Sequence, residues 1–153
     1  MIIDAKNMIL GRLASYAAKQ TLRGEQVHII NAEQAIITGS KQNVLAHYIQ
    51  KRDRGHPYSG PFFQRREDRL LKKTVVGMIP HKQAKGREAM KRLRCYIGSP
   101  SQFQGKETIS LAKIDITKTK NVKYISLKEL CGLLCKKQLS QSQFSCQEKE
   151  SAP

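Results

Sequence analysis

Residues 27–38 read VHIINAEQAIIT, and the reading of this stretch decides the fold. Val27, Ile29 and Ile30, then Ile36, Ile37 and Thr38, are β-branched, with Asn31, Glu33 and Gln34 between the two runs. The runs predict two short strands, 27–31 and 35–38. Neither alternates cleanly between apolar and polar side chains, as strands covered on both sides do not. Working outward, MIID (1–4) is a third apolar run consistent with a buried strand. Between it and VHIIN lies ILGRLASYAAKQTLRG (9–24), where Leu10, Leu13, Ala14, Ala17, Ala18 and Leu22 follow helical spacing. Gly24 stands where a C-cap glycine belongs. Strand and helix in alternation argue for an α/β sheet with helices on its faces.

Downstream, Ser40 is placed to cap a helix whose Val44, Leu45, Tyr48 and Ile49 form one apolar stripe, with Lys51 and Arg52 in its last turn. The following RGHPYSGPFFQRRED (54–68) has no period and reads as an irregular arm. Asp68 is expected to cap DRLLKKTVVGMIP, with Leu71, Val75 and Met78 facing inward and Pro80 closing it. Gly86 is expected to open the short helix GREAMKRL, and RCYIG (94–98) to return to a strand. TISL (108–111) reads as a short extended piece. Ser126 with Glu129 forms a capping box ahead of Leu127, Leu130, Leu133 and Leu134. The expected organisation is one domain over 1–137, with the arm at about 54–68 and a polar, flexible tail at 138–153.

Charge is the strongest functional signal. The chain of 153 residues has 28 Lys+Arg against 12 Asp+Glu, a net +16. Residues 51–94 alone hold 14 basic and 4 acidic side chains. Such a block repels itself unless an anionic partner neutralises it. With about 100° per residue, Ala89, Met90 and Leu93 share one side of the 86–93 helix while Arg87 and Lys91 share the other. Arg69, Lys72 and Lys73 sit on a segment that hides Leu71 and Val75. The arm adds Arg54, Arg65 and Arg66 among His56, Tyr58, Phe62 and Phe63. Cations interleaved with rings suit a nucleic acid, phosphates for the first and unpaired bases for the second. Phe62 and Phe63 fit core anchoring of the arm equally well. Without a helix-turn-helix, zinc-finger or basic-zipper pattern, a folded RNA is favoured over DNA.

Catalytic and metal patterns are missing. Neither G-x-x-x-x-G-K-[ST] nor G-x-G-x-x-G occurs, and Gly39-Ser40-Lys41 reads as an ordinary helix entry. His28, His47, His56 and His81 lack metal spacing, and Cys131 with Cys135 has no second ligand pair nearby. The four Cys (95, 131, 135, 146) do not resemble a disulfide framework, so reduced thiols are expected. No cofactor or metal is expected. No run approaches the roughly 18 apolar residues of a membrane span. MIIDAKNMIL lacks the pattern of a secretory leader, and a cytoplasmic location is expected.

MIIDAKNMILGRLASYAAKQTLRG, IINAEQAIITGSK, RLLKKTVVGMIP and KGREAMKRLRCYIGSP occur in this order, and together they resemble the large-subunit ribosomal protein L-thirteen family. GPFFQRREDR and YIGSPSQFQGKE are similar to its archaeal branch. The resemblance implies a three-layer α/β/α domain on a four-stranded parallel sheet, with the basic arm and a C-terminal helix. It implies a non-enzymatic constituent of the large ribosomal subunit that binds ribosomal RNA and supports assembly beside neighbouring ribosomal proteins, and not as a homo-oligomer. Carried over by position, it marks Arg65, Arg66, Arg69, Lys72, Lys73, Lys82, Lys85, Arg87, Lys91 and Arg92, and Arg12 within LGRLAS. Lys51, Arg52, Arg54, His56, Tyr58, His81 and Arg94 complete the candidate RNA-binding set. Relatives commonly carry a cation where this chain has Val76. The alternative is a small RNA-modifying or RNA-cleaving enzyme, for which Asp4 with His28 is the best available pair.

Overall fold

The computed structural model describes residues 1–55, 58–60, 62–111, 115–116 and 123–135. Strand β1 (Ile2–Asp4) leads through helix α1 (Leu10–Leu22) to β2 (Val27–Ile30), and the two strands pair in parallel, Ile3 opposite Ile29. After β3 (Ile36–Thr38), α2 (Lys41–Asp53), α3 (Glu67–Gly77) and α4 (Ala84–Arg92), β4 (Leu93–Cys95) joins the other edge of β2, again in parallel. β5 (Tyr124–Ser126) then leads into α5, helical over 127–135.

The α/β class is as expected, but among the described residues the parallel sheet has three strands, in the order β1-β2-β4, where the resemblance implies four. β3 pairs antiparallel with β5 instead, Ile37 opposite Ile125. Local backbone explains the departure. Asn7 and Asn31 both take left-handed φ, 58° and 54°, so the chain turns sharply after β1 and again after β2. β3 meets the first segment through the Ile36 amide on the Met8 carbonyl, at 2.9 Å. The free edge of β1 is covered by Ile109, whose amide donates to Ile2 and whose carbonyl accepts from Asp4.

One apolar core unites these pieces. Ile3, Val27, Ile29 and Leu93 on the sheet meet Leu13, Ala14 and Ala17 of α1, Leu71 and Val75 of α3, and Ala89 of α4, all buried. α1 packs against both α3 and α4. Ile125, Leu127, Leu130 and Leu134 extend the same core from the C-terminal segment. On the other side of β2, His28 stacks with Tyr96 and lies tilted against Phe103, ring centroids 6.1 and 5.0 Å away. At this strand the connection after β4 supplies the second layer.

Helix ends depart from expectation in two places. α3 begins at Glu67 with Arg66 as its N-cap, so Asp68 lies in the first turn and pairs with Arg66 at 3.3 Å rather than capping. Its inward stripe is Leu70, Leu71 and Val75, while Met78 is exposed. α4 starts two residues before Gly86, which is buried within its first turn. A Cβ on Gly86 would lie 2.1 Å from the Pro80 carbonyl oxygen, so the glycine is there to let the helix pass over that turn. Ser40 caps α2 and Ser126 Oγ accepts from the Glu129 amide at 3.3 Å, both as expected. The Glu129 carboxylate reaches Lys41 on α2 instead of returning to Ser126.

Candidate nucleic-acid interface

Helix α4 buries Gly86 and Ala89 against the core and leaves Lys85, Arg87 and Lys91 exposed. α3 does the same with Arg69, Lys72 and Lys73 outside. The link between them exposes His81 and Lys82. Apolar periodicity thus fixes the roll of each helix, and the roll puts the cations outward. Val76 is half-buried on α3.

Few acids blunt this surface. Ion pairs in this region include Arg66–Asp68, Arg92–Glu88 at 3.5 Å and Arg52–Asp53 at 2.8 Å. Arg69, Lys72, Lys82, Lys85, Arg87 and Lys91 are exposed and, among the described residues, have no acidic partner within 4.0 Å. Charges this close in chain and space hold a positive potential that attracts polyanions.

The other predicted residues fall in different places. Arg12 is exposed in the first turn of α1, a helix that touches both α3 and α4. Lys51, Arg54 and Tyr58 are exposed at the end of α2 and on the arm, Arg65 is half-buried, and His56 lies outside the described residues. Arg94 belongs to β4 between the inward-facing Leu93 and Cys95, so it leaves the α4 comb and joins the opposite face of the sheet. There the chain's amino group, Arg94 and Lys106 add to the burial that pushes the His28 imidazole below its ordinary range. Arg52 turns inward: only 9% of its side chain is exposed, and Nη1 donates to the Leu134 carbonyl at 3.5 Å.

The adjacent phenylalanines divide. Phe62 is 69% exposed, whereas Phe63 packs edge to face on Tyr48 and touches the core. Lys106, exposed and 5.7 Å over the Phe103 ring, was not foreseen; a single lysine in a turn-rich stretch carries no periodic signal.

The ends of parallel strands, where enzymes on open α/β sheets place their chemistry, hold a structural clamp. Asp4 Oδ1 accepts from Asn31 Nδ2 at 2.9 Å and from the Lys6 amide at 3.0 Å. His28 Nδ1 is buried, and no hydrogen bond or ion pair joins the ring to Asp4. Among the described residues no group of three His, Cys, Asp or Glu side chains is arranged to hold a metal. No helix among them is long and apolar enough to cross a membrane.

Residues 1–102 match the family described as Ribosomal protein L13. The chain is 48% identical over 130 residues to the large ribosomal subunit protein uL13 of Methanosarcina barkeri, covering 84% of this chain and 93% of that protein. It is 45% identical over 126 residues to that of Methanococcoides burtonii, covering 82% and 91%. With that of Haloarcula marismortui it shares 38% over 134 residues, covering 88% and 90%.

Proposed function

The chain belongs to the ribosomal protein L13 family, and from that premise we propose that it is a structural, non-enzymatic constituent of the large ribosomal subunit. In this reading it works in the cytoplasm, bound to ribosomal RNA and to neighbouring subunit proteins as a single copy. Its contact surface is the α3–α4 face, with Arg12, Lys51, Arg54 and the arm residues Tyr58, Arg65 and Arg66 extending it. The observation that carries this is the row of exposed cations without acidic partners among the described residues, Arg69, Lys72, Lys82, Lys85, Arg87 and Lys91, on and between helices whose other sides are buried. Arg94 and Lys106 lie on the second face and fit a separate, smaller contact. The working unit is the domain of residues 1–137, and the single parallel bridge of Ile109 to Ile3 supports reading the sheet edge there as the family's fourth parallel position.

Each neutralised phosphate releases counterions, so affinity falls with salt at a slope of about −0.7 to −0.9 per contact. Arg87→Glu and Lys91→Glu together remove two contacts and add two repulsive charges. Filter binding to transcribed large-subunit RNA should show at least about a tenfold loss and a slope shallower by roughly 2. Circular dichroism should show an unchanged fold. Unaltered affinity and slope in the folded variant would place the interface elsewhere.

A further inference from the structure

Between the end of α2, the arm and the flank of α3 lies a cleft of about 490 Å³, within the range that holds a small organic ligand. Tyr48 and Phe63 form an aromatic corner in it, centroids 5.8 Å apart and planes at 67°. Its rim is cationic. Lys51 Nζ sits 5.5 Å over the Tyr48 ring, Lys73 Nζ sits 5.7 Å over the Phe63 ring, and Arg54 also lines the opening. Among the described residues no acidic side chain lines it.

We propose that this cleft receives one extruded nucleotide of the bound RNA, its base against Tyr48 and Phe63 and its phosphate on Lys51, Lys73 and Arg54. The proposal rests on the RNA-binding reading above. An apolar corner inside a cationic rim selects a ligand that is flat and weakly polar at one end and anionic at the other. An unpaired nucleotide has that form, whereas a base within a duplex does not expose its face. A protein neighbour would need an aromatic group and an acid side by side to match it. The lysines over the rings are compatible with this, because base–aromatic stacking is stronger than an exposed cation–π contact. An arriving base displaces the ammonium groups from the rings and frees them for the phosphate.

The test is ultraviolet crosslinking of the full chain to transcribed large-subunit RNA, with nucleotide adducts mapped by mass spectrometry. Gly77 lines the cleft, and a Cβ there meets nothing within 4 Å, so Gly77→Leu adds a bulky side chain at the cleft wall from an unobstructed Cβ position. Gly77→Ala is the control. Adducts on Tyr48 or Phe63 are expected in the wild type and G77A and should vanish in G77L, with affinity about tenfold lower. Adducts confined to the α3–α4 cations, with G77L binding like the wild type, overturn the nucleotide site and leave the RNA-binding reading intact. Normal binding of G77L to naked RNA with failure to enter reconstituted subunits assigns the cleft to a protein neighbour and also overturns it. No binding and no adducts in any variant overturn both readings. Mapping on the wild type decides the matter even if G77L folds poorly.

Discussion

Gly86→Ala inverts a familiar rule. In an exposed helix interior this change stabilises by about 1 kcal/mol, because alanine loses less backbone entropy. Here the new Cβ would stand 2.1 Å from the Pro80 carbonyl oxygen, 2.5 Å from its carbon and 3.0 Å from the His81 nitrogen. A relaxed carbon–oxygen contact lies near 3.3 Å or beyond, about 1 Å further out. The obstacle is main chain, so no rotamer change relieves it. α4 would have to retreat, pulling fully buried Ala89 and Leu93 away from α1 and α3. Overpacking of this kind costs roughly 1–3 kcal/mol, and any gap opened behind the helix adds about 24 cal/mol per Å³. Against the propensity gain, the net loss should be about 2 kcal/mol, or about 4–8 °C in Tm for a chain of this size. Gly132, exposed on α5 with nothing within 4 Å of its Cβ position, is the matched control. Gly132→Ala should gain about 0.5–1 kcal/mol. Urea unfolding followed by circular dichroism measures both. A G86A protein as stable as the wild type would refute the close approach of α4 to the Pro80 turn.

Arg52→Ala removes a nearly buried guanidinium that ties α2 to the Leu134 carbonyl. Thermal melts should show a loss of about 1–2 kcal/mol, while RNA affinity stays within about twofold; a large affinity loss at unchanged stability would return Arg52 to the interface. His28 has its pKa lowered by burial first, then by the amino terminus, Arg94 and Lys106. The unfolded chain therefore binds a proton at this site that the folded chain does not, and stability falls as pH drops through about 6.5. His28→Phe keeps a ring in the aromatic stack, so its melting temperature should fall less than that of the wild type between pH 7.5 and 5.5. Burial pushes the thiols of Cys95 and Cys131 up to about 12, whereas Cys135 is exposed. At pH 8 iodoacetamide should modify Cys135 at least about 100-fold faster than Cys131 in the native protein. Peptide mass spectrometry reads the ratio, and equal rates would mean that α5 opens readily.

The elements that were legible in the sequence are those set by local pattern. The β-branched runs gave β2 and β3 to within a residue, and the alanine–leucine spacing gave α1. The outward roll of Arg87 and Lys91 followed from the spacing of Ala89, Met90 and Leu93. What stayed hidden depends on partners far away in the chain. The antiparallel match of Ile36 with Ser126 leaves no trace in either segment. Gly86 looks like a helix opener until the Pro80 carbonyl is placed beneath it. Charge identity does not say which arginine turns inward, because Arg52 does so for a carbonyl on α5. The cleft is likewise assembled from residues 48 to 77, and no single stretch of sequence displays it.

The β3–β5 ladder has a consequence for timing. β1, β2 and β4, with their helices, are all contained in the first 95 residues. Ile125, Leu127, Leu130 and Leu134, which complete the core, lie some thirty residues further on. Chains emerge amino terminus first, so the cationic helices exist before the last apolar wall can close. A nascent chain at that stage has its electrostatic surface but not its full stability. A polyanion met then would find helices still able to adjust their packing, and the late arrival of α5 would lock whatever arrangement it had selected.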